Sequence, residues 1–135
     1  MKRILLLCCN WLPPVLWMVL IFYLSSQSKL PDFDEFDFGM KKLAHFSVYA
    51  LLYLFLFRAF YFSRRDEELS LFVLLFPALI AVLYAISDEI HQSFVPLRTA
   101  TVRDVIIDSA GILAMGVVIR KWSFLRRAIE RTRWG

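Results

Sequence analysis

The chain has 135 residues, 59% hydrophobic and 16% aromatic, with 16 basic against 12 acidic side chains and a formal net charge of +4. A soluble domain of this length has no interior able to hide that much apolar surface, so the composition points to an integral membrane protein and leaves no room for a separate soluble domain.

Crossing the hydrocarbon takes roughly 20 apolar residues as a helix, and four windows qualify, about Ile4 to Ser25, Leu43 to Phe62, Leu69 to Ile90 and Val102 to Ile119. The expected fold is an all-α membrane protein: one domain over residues 1–135, a bundle of four transmembrane helices and a basic amphipathic interfacial helix at the C-terminal end.

In the first window Lys2 and Arg3 precede the apolar run, as in a signal peptide, but the run is longer than an h-region and no small-x-small cleavage site closes it. It reads as a retained span. Cys8 is preceded by Leu7 where a lipoprotein needs a small residue, and adjacent Cys8 and Cys9 suit packing rather than a disulfide, redox or metal role. Pro13-Pro14 here and Pro77 in the third window predict kinks or local unwinding, tolerated where neighbours satisfy the carbonyls they release. The loop after the first window alternates Asp32, Asp34, Glu35 and Asp37 with Phe33, Phe36 and Phe38, which reads as a hydrated connector with its rings at the interface. In the fourth window Ala110 and Ala114, beside Gly111 and Met115, form a small-xxx-small face for close helix approach. Beyond it, Trp122, Phe124, Leu125, Ile129 and Trp134 among Arg126, Arg127, Arg131 and Arg133 suit a helix lying on anionic lipid.

Topology follows from the basic residues. Lys2, Arg3, Arg58, Arg64, Arg65, Arg120, Lys121, Arg126, Arg127, Arg131 and Arg133 flank one side, against Lys29, Lys41, Lys42, Arg98 and Arg103 on the other. The positive-inside rule then puts both termini and the middle loop on the cytoplasmic side, with the 27–41 and 92–101 loops outside. The positive balance is topological, and no nucleic-acid partner is expected.

Ionisable side chains inside spans are expensive and mark candidate sites. Lys42, His45 and Tyr49 fall at i, i+3 and i+7, one helical stripe; Tyr84, Asp88 and His91 fall at i, i+4 and i+7, with Glu89 and Gln92 on the adjoining stripe; Asp104 and Asp108 are at i and i+4, followed by Gly111. At about 1.5 Å rise per residue, all three stripes lie just beneath the outer surface. Convergence there lets the carboxylates meet Lys42, Arg98, Arg103 and the two imidazoles, whereas facing lipid would leave each charge uncompensated. The candidate ligand-binding set is Lys42, His45, Asp88, Glu89, His91, Gln92, Arg98, Arg103, Asp104 and Asp108, supported by Gln27, Tyr49 and Tyr84. Each has a plainer role open to it. Thr101-x-x-Asp104 fits a helix cap; Lys42 and Arg103 can snorkel; His45 and His91 can be packing histidines; Tyr49 and Tyr84 can be interface aromatics.

The chain resembles the VanZ-like family of small bacterial membrane proteins. The resemblance rests on Ser25-Ser26-Gln27, Lys42-x-x-His45-Phe46-x-x-Tyr49-x-x-Leu52, Tyr84-Ala85-x-x-Asp88-Glu89-x-His91-Gln92-x-Phe94-x-Pro96-x-Arg98 and Arg103-Asp104-x-x-x-Asp108-x-x-Gly111, in the family's order from about Ser25 to Gly116. Asp108 departs from the Asn expected there and alters the charge balance. The resemblance implies a link to the cell envelope, since the founding member is associated with teicoplanin resistance.

Three classes of function stay open on the residues alone. A non-catalytic binding protein would hold an anionic envelope ligand, a lipid-linked precursor or lipid head group, through Lys42, Arg98 and Arg103; this is the favoured reading. An enzyme on a lipid-linked substrate would use Asp88 or Glu89 with His91 or His45 as an acid/base pair. Its metal variant has only one Asp-x-x-His, where di-iron bundles use such spacing twice, so neither metal nor cofactor is expected. A proton-coupled carrier would need access from both faces and therefore a homo-oligomer or partner, and an assembly subunit would use the cluster only to lock helices together. Membrane lipids are expected partners in every case.

Overall fold

The computed structural model describes residues 2–28, 36–64, 70–98, 100–122, 127 and 129–131. Four long helices account for most of them: α1 (Lys2–Ser25), α2 (Phe36–Arg64), α3 (Leu71–Ser93) and α4 (Val102–Lys121). Leucine-rich windows without interior glycine favour the helical state of α1 and α3. The helices overrun the apolar windows where polar side chains find partners inside the bundle. α2 starts at Phe36, taking in 36–38 that were expected in the connector, while 31–35 lie outside the described residues. α3 starts two residues later than expected, because Ser70 is its N-cap: the Ser70 hydroxyl accepts the Val73 amide at 3.4 Å. Pro13, Pro14 and Pro77 sit within continuous helix, with no unwinding at either place. Tyr53 donates to the Leu74 carbonyl at 3.2 Å, in the turn that Pro77 disturbs.

Three helices are long and apolar enough to cross a membrane: α1 over Cys8–Ser25, α2 over Gly39–Ser63, and α3. Exposure gives the same answer. Leu71, Leu75, Leu79, Leu83 and Ile90 form one stripe of α3 and are each more than half exposed, while Val73, Pro77, Ala81, Ala85, Asp88 and Gln92 form the buried stripe. Leu12, Val15, Leu16, Val19, Phe22 and Tyr23 of α1 are equally exposed. So large an apolar surface needs lipid around it. Cys8 belongs to this surface rather than to the packing expected of it; Cys9 is half-buried, and both are free thiols.

α2 is the central helix, packed on each of the other three and most extensively on α4. Its buried face, Tyr49, Leu52, Tyr53, Leu56, Phe57 and Ala59, carries the core. Toward the far end Trp11 of α1 stacks edge-on against Phe60, with centroids 5.0 Å apart, and donates to Ser63 at 3.2 Å. Ile129 is buried against Phe57 and Tyr61, and the Tyr61 hydroxyl donates to Glu130 at 3.1 Å. That part of the C-terminal segment leans on α2; residues 123–126 and 132–135 of the expected amphipathic helix lie outside the described residues.

The closest approach of α2 and α4 is at Gly111, not at the Ala110–Ala114 face expected, since Ala110 is exposed. A Cβ at Gly111 would run into the Phe46 carbonyl, a backbone group that cannot swing aside, whereas one at Gly116 would meet the Tyr53 hydroxyl at an ordinary 3.5 Å. Gly111→Ala is therefore expected to destabilise the protein by about 1–3 kcal/mol. Gly116→Ala is expected to be neutral or stabilising by up to about 1 kcal/mol. Unfolding of both variants in mixed micelles checks the pair.

Candidate functional site

The C-terminal ends of α1 and α3 and the N-terminal ends of α2 and α4 meet at one end of the bundle, and nearly all of its buried polar side chains gather there. Asp88 lies at the centre, 5% exposed. Its Oδ2 accepts three hydrogen bonds, from Ser25 Oγ of α1 at 2.9 Å, Tyr49 Oη of α2 at 3.1 Å and Gln92 Nε2 of its own helix at 3.0 Å. Its Oδ1 is buried and has no hydrogen-bond partner among the described residues. Ala81 and Ala85 on the same stripe make this possible, because side chains that small let the C-terminal half of α3 come close enough for a short carboxylate to reach two neighbouring helices.

The other three buried acids are tied to α4. Asp104 forms an ion pair with Lys42 and accepts the Thr101 hydroxyl at 2.9 Å. Thr101 is the N-cap by position, yet its side chain turns to Asp104 rather than to a helix amide, so the capping pattern appears as a side-chain contact instead of a reciprocal box. Glu89 accepts the Thr101 backbone amide, placing its carboxylate at the positive end of α4. Asp108, 1% exposed, has Oδ1 3.3 Å from His45 Nδ1, within ion-pair range but without a hydrogen bond's geometry. Lys42, His45, Asp88, Glu89 and Asp108 are close enough to feel one another's charge.

Several residues of the expected set do other work. Arg98 ties off α1: its Nε donates to the Gln27 carbonyl, two residues past the helix, at 3.1 Å, and its Nη2 to the Leu24 carbonyl at 2.9 Å, which also accepts the Gln27 amide at 3.3 Å. Leu97, just before it, is held in the left-handed region at φ 65, a conformation uncommon for a side chain of this kind. Gln27 contributes that carbonyl, while its side chain bonds back to Tyr23. His91 turns toward α1, stacking on Phe22 at 4.4 Å and sharing a 3.0 Å hydrogen bond with Ser26. Tyr84 donates to the Met18 carbonyl at 2.6 Å, a turn away from the cluster. Arg103 is exposed at the start of α4. Of the pairs that an acid/base enzyme would use, Asp88 or Glu89 with His91 or His45, none forms a hydrogen bond or ion pair among the described residues, although Glu89 lies within electrostatic reach of His45; the Asp–His contact within ion-pair range is Asp108–His45. Among the described residues, no three or more His, Cys, Asp or Glu side chains come together in a way that could hold a metal ion.

Beside Asp88 a cavity of about 180 Å³ opens between α1 and α2. Its polar walls are Ser25, Lys41, His45, Tyr49, Asp88 and Arg98; its apolar walls are Ile21, Leu24, Ala44 and Val48. Leu24 and Ala44 are themselves exposed, so the mouth faces the surface that the apolar stripes of α1 and α2 present. Ser25 and Lys41 were absent from the expected set. Ser25 was visible in the Ser25-Ser26-Gln27 motif, and Lys41 as the neighbour of Lys42, but neither sits on a stripe with the acids.

A bundle with three membrane-length helices and a buried polar end defines a helical membrane protein with an amphiphilic cavity at that end. The chain belongs to the VanZ/LLP1 family, whose profile matches residues 10–125. No curated protein and no solved structure matches it.

Asp88→Ala would leave the Ser25 and Tyr49 hydroxyls without their acceptor and Gln92 Nε2 with only Ser25 Oγ at 3.4 Å, and is expected to cost about 3 kcal/mol, while Asp88→Asn, whose amide oxygen can take all three, is expected to cost about 1 kcal/mol. Arg98→Ala should cost roughly 1–2 kcal/mol and speed amide exchange in the last turn of α1. Chemical unfolding and hydrogen-exchange mass spectrometry read these effects. Equal losses for the two Asp88 variants would contradict the assignment of Oδ2.

Proposed function

We propose that this chain crosses the bacterial cell membrane four times, keeps both termini in the cytoplasm, and uses the cavity under its outer face to bind a phosphate-bearing envelope amphiphile without converting it. The basic residues divide eleven to five in favour of that orientation. Composition alone would disqualify α4 as a span, but Asp104 and Asp108 turn inward to Lys42 and His45, so these charges do not meet lipid.

The observation that carries the binding reading is the make-up of the cavity. Apolar walls and a mouth among exposed side chains suit a hydrocarbon-bearing ligand, and Lys41 and Arg98 on the same walls suit its anionic group. Arg98 uses two of its five N–H donors on α1 and has others to offer. At about 180 Å³ the cavity suits a head group rather than a whole lipid, whose chains would remain outside along Leu24. An effect on teicoplanin susceptibility, suggested by the family, would be a consequence of such capture.

Native mass spectrometry of detergent-purified protein tests the reading. Phosphatidylglycerol should bind at least about tenfold tighter than diacylglycerol of the same chains, and Lys41→Gln with Arg98→Ala should bring the two within about twofold. Equal affinities in the unmodified chain would sink the proposal. For the topology, a membrane-impermeant maleimide applied to intact cells should label a cysteine at Ser28 and not one at Lys121, in a background lacking Cys8 and Cys9; the opposite pattern would invert the orientation.

A further inference from the structure

Asp88 differs from the other buried acids at this end in its partners. Asp104 has Lys42, Asp108 has His45, and Glu89 has a backbone amide at the start of a helix. The partners of Asp88 among the described residues are all uncharged, Ser25, Tyr49 and Gln92, and all three converge on one oxygen. The second oxygen is buried without a hydrogen-bond partner among the described residues, on a residue that forms part of the cavity wall. A carboxylate withdrawn from water with one oxygen unpaired is costly unless a donor, best a cation, meets it.

The same cavity is bounded by Lys41 and Arg98. Its lining therefore carries both signs, a pair of cations and the Asp88 carboxylate, within a space sized for a head group. A simple anion would be attracted by the cations and repelled by the carboxylate. A head group carrying phosphate beside a primary ammonium satisfies both.

Resting on the binding reading above, we propose that the ligand is an aminophospholipid, its phosphate directed to Lys41 and Arg98 and its ammonium N–H to the Asp88 carboxylate. Ethanolamine is the smallest head group with this chemistry. The site should reject choline, which keeps the charge but has no N–H to donate.

The test compares four lipids of identical chains on the unmodified, detergent-purified protein: phosphatidylethanolamine, phosphatidylcholine, phosphatidylglycerol and diacylglycerol, with soluble phosphoethanolamine as competitor. Phosphatidylethanolamine should bind at least about tenfold tighter than phosphatidylcholine or phosphatidylglycerol, and soluble phosphoethanolamine should compete at least about tenfold more weakly than the lipid. Asp88→Asn should bring phosphatidylethanolamine to within about twofold of phosphatidylglycerol while both still exceed diacylglycerol. If phosphatidylcholine or phosphatidylglycerol matches phosphatidylethanolamine and all exceed diacylglycerol, the ammonium assignment is wrong and the binding of phosphate amphiphiles stands. If no phospholipid exceeds diacylglycerol, both proposals fall. Competition by soluble phosphoethanolamine equal to that of the lipid would overturn the lipid as source. The lipid series on the unmodified chain decides the matter even if Asp88→Asn does not fold.

Discussion

One carboxylate oxygen holds the polar end of this molecule together. Asp88 Oδ2 accepts a hydroxyl from α1, a phenol from α2 and an amide from its own helix, at 2.9, 3.1 and 3.0 Å. Between lipid-facing helices the hydrophobic effect supplies little attraction, so packing and polar contacts of this kind decide which helices associate and in what register. The same residue forms part of a cavity wall, beside Lys41, His45 and Arg98.

Around that point each helix divides its surface in the same sense. α3 faces outward with leucines four residues apart and inward with small residues that give way to Asp88, Glu89 and Gln92 in the last turns. α2, central to the bundle, carries aromatic packing at one end and Lys41, Lys42 and His45 at the other. α4 is held to α2 by Gly111, where backbone meets backbone, and by the Lys42–Asp104 and His45–Asp108 pairs. Arg98 closes the assembly from the loop after α3 by anchoring the end of α1. The short polar motifs on which the resemblance rests include these joints, Lys42, His45, Asp88, Arg98, Asp104, Asp108 and Gly111, within an otherwise apolar chain.

Much of this was legible from residue spacing. Lys42, His45 and Tyr49 on one stripe of α2, and Asp104 and Asp108 on one stripe of α4, do face each other, because a buried charge has few alternatives to an opposite partner. The α3 stripe was read one step off. Tyr84, Asp88 and His91 share a face by arithmetic, but the buried seam follows Ala81, Ala85, Asp88 and Gln92, since alanine admits a neighbouring helix and tyrosine does not. Tyr84 and His91 are thereby left on the flank, bonded to α1 at Met18 and Ser26. The role of Arg98 was hidden for a different reason: its partners are backbone carbonyls of a helix end more than seventy residues away, and carbonyls carry no sequence signature. Nor could spacing show that α2 begins at Phe36, where an acidic, aromatic stretch reads as loop until the helix it extends is seen.

Tyr49 and Asp88 join α2 to α3 directly. A double-mutant cycle with Tyr49→Phe and Asp88→Ala, read by reversible unfolding in bicelles, measures that bond most directly. The account predicts a coupling energy between about 0.5 and 3 kcal/mol, and strictly additive losses would contradict it.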